Sequence, residues 1–261
     1  MNPSRWELRA DCSRCAALCC VGPSFEAGAD FALDKEEGVP CPHLGPEHRC
    51  TIHDTLRQKG FPACAAYDCF GAGQRVVAAL GGSVGVSESA LVHEAFLTTR
   101  ALHALLWALA EARLEAPGGL RAELADAENG LDAIAGDVLD PGLAVRLSEA
   151  WGPTIELLSR CSDAIRRPGV VRVDEDLSGH DLRRMSLKDA DLRFADLSDA
   201  DLRGVDLGRA DLLGADLRRA RLDGADLGDV LFLSDVQVAM ARGDGATRLP
   251  PRCDRPGHWS E

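Results

Sequence analysis

Eight of the ten cysteines in this 261-residue chain fall between positions 12 and 69. Closely spaced cysteines let one loop present two thiolates to a metal ion at about 2.3 Å, and distant pairs can complete a tetrahedron. Adjacent Cys19 and Cys20 would form a strained disulfide, but they could ligate two separate centres. The sequence therefore predicts two sets of four metal ligands, drawn from Cys12, Cys15, Cys19, Cys20, Cys41, Cys50, Cys64 and Cys69.

The identity of the metal and its role are open at this point. Zinc is the preferred cofactor, and iron or a cysteine-ligated iron–sulfur cluster is the alternative, because thiolate count does not separate them. His43, His48 or His53 could replace one thiolate, since imidazole is also a zinc ligand. The metal could be structural or reactive, and the cysteines could also be buried small hydrophobic residues without metal. Cys161 and Cys253 lie far from this cluster in sequence and are predicted to be ordinary thiols.

The segments around the cysteines indicate how they are positioned. Residues 1–74 are rich in Cys, Gly and Pro, which is typical of a region ordered by metal rather than by an apolar core. Residues 75–168 are predicted to be an α-helical region. Its leucines between Leu91 and Leu109 recur at spacings of three and four, and Pro117-Gly118-Gly119 should end that helix. A later helix should begin at Asp140-Pro141 and be interrupted at Gly152-Pro153.

A five-residue repeat occupies residues 169–233. Leucines recur at every fifth position from 177 to 227 and Phe232 continues the register, which gives twelve units. Ala commonly stands two positions before each leucine, so both should point inward. The intervening aspartates are expected to bond to nearby backbone; they are Asp191, Asp196, Asp201, Asp206, Asp211 and Asp216.

The stretch ADLRFADLSDADLRGVDLGRADLLGADL resembles the pentapeptide-repeat family. That resemblance implies a right-handed quadrilateral β-helix, here of about three coils because four pentapeptides make one coil. The predicted fold class is thus mixed α and β, with a cysteine-rich metal-bound N-terminal region, a central α-helical bundle and this β-helix. Residues 234–261 should cap it, through a short helix at Ser234–Ala241 and through Trp259.

The cysteine region resembles a second family, the YkgJ-like proteins described as zinc- or iron-chelating. The resemblance covers roughly residues 11–74 and rests on CSRCAALCC, CPHL and CTIHDTLRQKGFPACAAYDC. Three residues rather than two precede Cys19-Cys20, and His53 stands where the family often has Tyr. The resemblance implies metal chelation and supplies no agreed reaction.

Charge and hydropathy restrict the partners. A formal net charge of −13 argues against direct binding of nucleic acid, which needs clustered basic residues. The N-terminus has no signal-peptide core and no stretch approaches a membrane span, so a cytoplasmic protein without membrane contact is expected.

The function predicted from the sequence is a metal-binding protein whose repeat acts as a scaffold for a protein partner, with a homodimer possible. One alternative is an iron-dependent redox or tailoring enzyme, so enzyme activity is undecided. A second alternative is a DNA mimic that modulates gyrase, as some pentapeptide-repeat proteins do. Twelve units would rise only about 14 Å, the length of roughly four base pairs, and this argues against the DNA mimic.

Overall fold

The computed structural model describes residues 8–82 and 89–259. Within these residues it contains six α-helices, which we number in chain order: α1 (Pro62–Ala66), α2 (Ala72–Ala79), α3 (Ala90–Glu115), α4 (Gly118–Ile134), α5 (Leu143–Ile165) and α6 (Asp235–Met240). Short 3₁₀ helices lie at Cys12–Arg14, Leu18–Cys20, His53–Thr55 and Gly257–Trp259. None of the helices in the described ranges is both long and apolar enough to cross a membrane.

Helix α5 departs from the sequence prediction at Asp140-Pro141 and at Gly152-Pro153. Asp140 does not cap the helix; its carboxylate accepts a bond from the Gly142 amide at 2.6 Å in the turn that precedes Leu143. Pro153 lies inside the helix and does not interrupt it. A proline removes one intrahelical bond, and in the same turn the Thr154 hydroxyl adds a bond by donating to the Ala150 carbonyl at 2.7 Å.

The chain divides into two units. The first consists of Met1–Ala110 and Arg121–Leu157, and the second of Glu111–Leu120 and Leu158–Glu261. The core of the first unit is small and aliphatic, with Phe96 as its fully buried aromatic residue. It combines residues from the 3₁₀ turns, α2 and the start of α3: Ala16, Leu18, Ala72, Val76, Val77, Val92, Ala95 and Phe96, with Val138 and Leu143 beside them. Several cysteines pack directly against this core, so the helices support the cysteine region.

The interior of the second unit is formed by the repeat. Each repeat leucine from Leu177 to Leu227 is buried, and so are the alanines that precede them, such as Ala190 and Ala200. The predicted aspartate bonds are confirmed. Asp196 accepts from the Ser198 amide at 2.9 Å and Asp206 from the Gly208 amide at 2.8 Å, and the other four predicted aspartates make the same bond.

The predicted fold class is wrong in its β-helix. Across residues 8–82 and 89–259 there is no β-strand and no sheet, and the regular elements are helices. Successive turns of the repeat contact one another through isolated parallel bridges between single residues, such as Asp191 with Asp211 and Asp196 with Asp216. The chain in this region is a coil built of turns rather than of strands.

Turn geometry explains why strands do not form. In most units the amide of the residue three after the leucine donates to the leucine carbonyl, as from Ala195 to Leu192 at 3.1 Å. The residue two after the leucine then takes a positive φ, at non-glycine positions such as Phe194 (59°) and Arg209 (61°). This is the geometry of a type II turn. Four of every five residues lie in the turn, which leaves one residue to bridge to its neighbour.

The predicted cap of the last repeat is present. Ser234 caps α6, with its side chain accepting from the Gln237 amide while Gln237 bonds back to the Ser234 amide. Trp259 is 2% exposed, packs in the repeat core and donates from Nε1 to the Ala241 carbonyl at 3.0 Å. Ser234 and Trp259 are therefore both fixed within the second unit.

Candidate metal centre

Cys12 and Cys15 are placed by a 3₁₀ turn that rests on helix α2. The Asp11 side chain caps that turn by accepting from the Ser13 amide at 3.0 Å. The Asp11 amide donates to Gln74 of α2 at 2.7 Å, and the Gln74 side chain donates to the Arg9 carbonyl at 3.1 Å. Helix α2 starts just after Cys69, so these bonds bring Cys12 and Cys15 to the segment that carries Cys69.

A second set of backbone bonds brings Cys20, Cys41 and Cys50 together. The Cys41 amide donates to the Cys20 carbonyl at 2.9 Å, and the Leu44 amide donates to the Cys41 carbonyl at 2.9 Å. Leu44 in turn forms an antiparallel bridge with Cys50. Cysteines that are up to 30 positions apart in the sequence are thus linked through three backbone contacts.

All eight predicted cysteines line one cavity of about 330 Å³ within the first unit. Apolar side chains form much of the remaining wall, among them Phe25, Phe31, Phe61 and Phe96. Phe25 and Phe31 stack with their ring centroids 4.3 Å apart. Cys161 is fully buried in α5, whereas Cys253 donates to the Leu233 carbonyl at 3.4 Å, and both belong to the second unit.

The cysteines share a cavity without forming a ready-made coordination shell. Among the described residues, no group of three or more Cys, His, Asp or Glu side chains stands in a position to hold a metal ion. His43 and His53 line the cavity, and His43 packs edge-on against Phe61 at 5.3 Å between ring centroids. His48 lies on the turn before Arg49, and its buried Nδ1 has no hydrogen-bond partner in the described chain. The ligand roles of all these residues therefore stay predictions.

Burial and mutual repulsion keep several of these thiols protonated. Burial raises the pKa of Cys12 and of Cys15, and the neighbouring Cys69 raises both further. Burial raises the pKa of Cys64 to about 12, with added effects from Cys20, Cys41 and Cys50. Burial likewise raises the pKa of Cys50, and Cys20 and Cys41 add to that rise. A cation that bound these sulfurs would have to displace their protons.

Cys20 differs from its neighbours in its electrostatic environment. The Cys19 thiol is hydrogen-bonded to Cys20, and this bond raises the pKa of Cys19 and lowers the pKa of Cys20. The ammonium of Lys35 lowers the pKa of Cys20 further. Lys35 is itself buried, and its Nζ donates to the carbonyls of Val21 at 2.8 Å, Pro23 at 2.6 Å and Glu36 at 2.9 Å. A fixed positive charge therefore stands beside the thiols.

Tyr67 also lines the cavity, and its hydroxyl is not satisfied. The hydroxyl oxygen is buried and has no hydrogen-bond partner among the described residues. Burial raises the pKa of Tyr67, and nearby Cys19 and Cys69 contribute to the rise. An unpaired polar group is costly in a protein interior, so this hydroxyl distinguishes Tyr67 from the apolar residues of the cavity wall.

Comparison with known proteins places the whole chain in a family. Residues 176–204 and 195–232 match the family model described as Pentapeptide repeats (8 copies). The Bacillus subtilis (strain 168) protein described as Uncharacterized protein YybG is 41% identical over an alignment of 266 residues, which covers 97% of this chain and 95% of YybG. The chain belongs to the YybG family of pentapeptide-repeat proteins. The similarity to YybG extends through the cysteine region, whereas the family-model match is confined to the repeat.

Among solved structures, the chain is similar to a pentapeptide repeat protein, Rfr23, from the cyanobacterium Cyanothece 51142. The two sequences are 28% identical over 33% of this chain and 50% of that chain, with a TM-score of 0.21. The chain thus spans half the length of that structure. The YkgJ-like resemblance of the cysteine region is not part of these matches and stays a prediction.

Three residues in or beside the cavity were not predicted from the sequence: Tyr67, which lines it, Lys35, whose charge lowers the pKa of Cys20, and Gly73, which lies against Cys15. Gly73 lies in α2, and a Cβ atom built there would collide with the Cys15 sulfur. A signal existed for Tyr67, which is the only tyrosine in the chain and lies between Cys64 and Cys69. No sequence signal distinguishes Lys35 or Gly73, because their roles depend on contacts with distant segments.

Proposed function

We propose that this protein binds two metal ions, preferably zinc, on its eight clustered cysteines and uses its repeat region as a scaffold for a protein partner. The observation that carries the proposal is the single cavity lined by all eight cysteines. Sulfur is the donor that zinc prefers in structural sites, which are usually closed by four protein ligands. Eight cysteines match two such sites.

The donor set fits a cation in two further respects. Binding would release protons from thiols whose pKa is raised by burial, because a metal ion stabilises the thiolates. Lys35 supplies positive charge near Cys20 and would offset part of the negative charge of a four-thiolate site. The orphaned Tyr67 hydroxyl supplies a hydrogen-bond donor at the same cavity.

The neighbours of each thiol suggest how the cysteines divide. Cys15, Cys19 and Cys69 all pack against the apolar core of the first unit, and Cys12 is the neighbour of Cys69 and Cys15. Cys20, Cys41 and Cys50 are linked through the backbone, and Cys64 is the neighbour of these three. We therefore assign Cys12, Cys15, Cys19 and Cys69 to a first set, and Cys20, Cys41, Cys50 and Cys64 to a second set.

Cys20 is the thiol with neighbours in both sets, because it also raises the pKa of Cys12. The backbone bond to Cys41 and the effects on Cys50 and Cys64 favour the second set. Adjacent Cys19 and Cys20 would then serve different metal ions. This division avoids placing two successive residues in one tetrahedron.

The repeat region offers surfaces suited to a scaffold. Pentapeptide repeats suggest a protein-interaction role. The coil presents regularly spaced ion pairs, such as Arg203 with Asp201 at 2.6 Å and Arg218 with Asp216 at 2.6 Å. Exposed pairs of this kind add little stability, so their groups remain available to a polar partner surface. We propose a protein partner for this face.

Metal analysis tests the proposal directly. The untagged protein is purified without oxygen, and metals per chain and the visible spectrum are measured on one sample. We expect about two zinc ions per chain and no colour, because Zn²⁺ is a closed-shell ion. Iron with sulfide and a visible chromophore would favour the redox alternative instead. A chain without stoichiometric metal would refute the metal-binding proposal.

Two serine substitutions sharpen this test. Cys41→Ser removes a thiol of the second set and should lower the metal content from two ions to one. Cys253→Ser is the matched control in the second unit; serine retains a donor for the Leu233 carbonyl, and the metal content should stay at two. Equal metal loss in both variants would indicate general unfolding rather than loss of a ligand.

A further inference from the structure

Tyr67 is held at the cavity by contacts that leave only its hydroxyl unpartnered. It is the C-cap residue that follows α1, and its amide donates to the Cys64 carbonyl at 3.4 Å. The guanidinium of Arg100 lies 4.9 Å from the centre of the Tyr67 ring, and the Arg100 Nε donates to the Asp68 carbonyl at 3.0 Å. The ring is therefore fixed from the side of α3.

The hydroxyl lies with the first set of cysteines. Tyr67 packs against the same apolar core as Cys15, Cys19 and Cys69. Tyr67 lines the cavity, and its hydroxyl is buried and has no hydrogen-bond partner in the described part of the chain. A phenylalanine would fill the same space without the cost of desolvating a hydroxyl. The hydroxyl therefore needs a hydrogen-bond acceptor. Either a group from outside the polypeptide enters the cavity, or a residue of the cavity changes its charge and becomes an acceptor.

We infer that Tyr67 is a positioning residue that donates a hydrogen bond from its hydroxyl to a metal-bound thiolate of the first set. This inference rests on the proposed metal-binding function. A thiolate that ligates a metal carries negative charge and accepts hydrogen bonds, whereas a protonated thiol is a weak acceptor. Groups that hydrogen-bond to metal ligands commonly change metal affinity by 10- to 100-fold. The donor would stabilise one of the two metal sites and leave the other unaffected.

The Tyr67→Phe variant tests this role because it removes one oxygen and keeps the ring. Each protein is loaded with Zn²⁺, and release of the metal to the chromogenic chelator 4-(2-pyridylazo)resorcinol is followed with time. We expect two zinc ions per chain in both proteins. One of the two should leave the variant roughly tenfold faster, and the other should leave at the wild-type rate.

Substitution of the single tyrosine by 3-fluorotyrosine gives a matched control, because it keeps the hydroxyl. This protein should release zinc as the wild type does. It also yields one ¹⁹F resonance, which should shift when zinc is removed and shift less when only the first-set ligand Cys69 is replaced by serine before loading.

The possible outcomes distinguish failure of the Tyr67 inference from failure of the proposed metal binding. If Tyr67→Phe binds two zinc ions and releases both at wild-type rates, the inference is wrong and the proposed function stands. If both ions leave the variant equally fast, the hydroxyl supports the fold in general and the inference is also wrong. If the wild-type protein binds no stoichiometric metal, the proposed function fails first and the inference falls with it.

Discussion

The two regions of this protein differ in how their interiors are filled. In the repeat region, leucines and alanines occupy the interior, and almost all of them are fully buried. In the cysteine region, an opening of about 330 Å³ remains at the centre, lined by thiols and by an unsatisfied hydroxyl. A protein interior is normally close-packed. The repeat interior is therefore filled by the polypeptide itself, whereas the cysteine region leaves a space that the proposed metal ions would occupy.

The two regions also differ in local structure, because the repeat recurs along the chain and the cysteine region does not. The repeat uses one turn and one carboxylate-to-amide bond in unit after unit, so each part supports the next. Residues 8–82 contain only two α-helices, of five and eight residues, and neither is long enough to be stable alone. Lys35 shows the consequence, since a buried ammonium bonded to three carbonyls holds a loop that has no regular structure.

The largest expected effect comes from creating a cavity in the close-packed interior of the repeat. Leu202 is fully buried, and Leu202→Ala should lower the free energy of unfolding by about 2–5 kcal/mol in urea denaturation. Val171 is 69% exposed, and Val171→Ala is the control, with an expected change within about 0.5 kcal/mol. Metal content should be unchanged in both variants.

Two results would break the comparison. A loss below about 1 kcal/mol for Leu202→Ala would mean that the repeat interior can collapse around a cavity. Loss of metal in the same variant would mean that the two regions do not fold independently, and the contrast between a filled and an open interior would then not hold.

A second prediction concerns the one repeat aspartate that has no access to water. Asp211 is fully buried beneath Ser162 of α5, and burial raises its pKa to about 6. Bonds from Ser162 and the Leu213 amide and the charge of Arg193, 3.7 Å away, oppose the rise, whereas Asp191 adds to it. The folded state therefore holds this proton more tightly than the unfolded chain, whose value is near 3.8.

The direction in which stability changes with pH follows from proton binding. Between pH 4 and 6 the folded state binds more protons at this site, so the contribution of Asp211 to stability falls as pH rises through that range. Asp211→Asn should be more stable than the wild type at pH 8, by on the order of 2–3 kcal/mol, and nearly equal to it at pH 4. Urea denaturation at both pH values measures the difference.

Asp176 provides a control of opposite sign. It occupies the same repeat position, but it is exposed, and bonds from the Ser178 hydroxyl and amide lower its pKa. Its stabilising contribution is present at neutral pH and is lost in acid, so Asp176→Asn should be slightly less stable than the wild type at pH 8. A similar pH response in both variants would refute the role of burial at Asp211.

These contrasts also show how far the sequence determines the structure. Burial of Leu202 and Ala200 and the Asp196 bond could be predicted, because each belongs to a pattern that recurs in most of the units. The strands could not be excluded, because the positive φ at Phe194 and Arg209 is carried by residues that give no glycine signal. In the cysteine region, spacing predicted which thiols come together. Residues that act across long separations, such as Lys35 and Tyr67, were not found.

The smallest expected effect tests how tightly the cysteine region surrounds its cavity. Gly73 and Gly130 both lie inside helices, α2 and α4, where alanine is intrinsically better by about 1 kcal/mol. A Cβ at Gly130 meets nothing within 4 Å, so Gly130→Ala should gain up to that amount. At Gly73 the added Cβ collides with the Cys15 sulfur and lies 3.7 Å from the Phe96 ring. Gly73→Ala should therefore lose about 1 kcal/mol and release metal faster.

Equal gains in the two variants would show that Cys15 moves freely into the cavity, because only a displaced sulfur makes room for the methyl group. The open interior would then be able to rearrange around its contents. A loss confined to Gly73→Ala, with faster metal release from one site, would show instead that the position of Cys15 is fixed by α2. In that case the cavity has a defined shape before any cation enters, and the α-helices, although they carry no thiol of the first set, determine where its sulfurs stand.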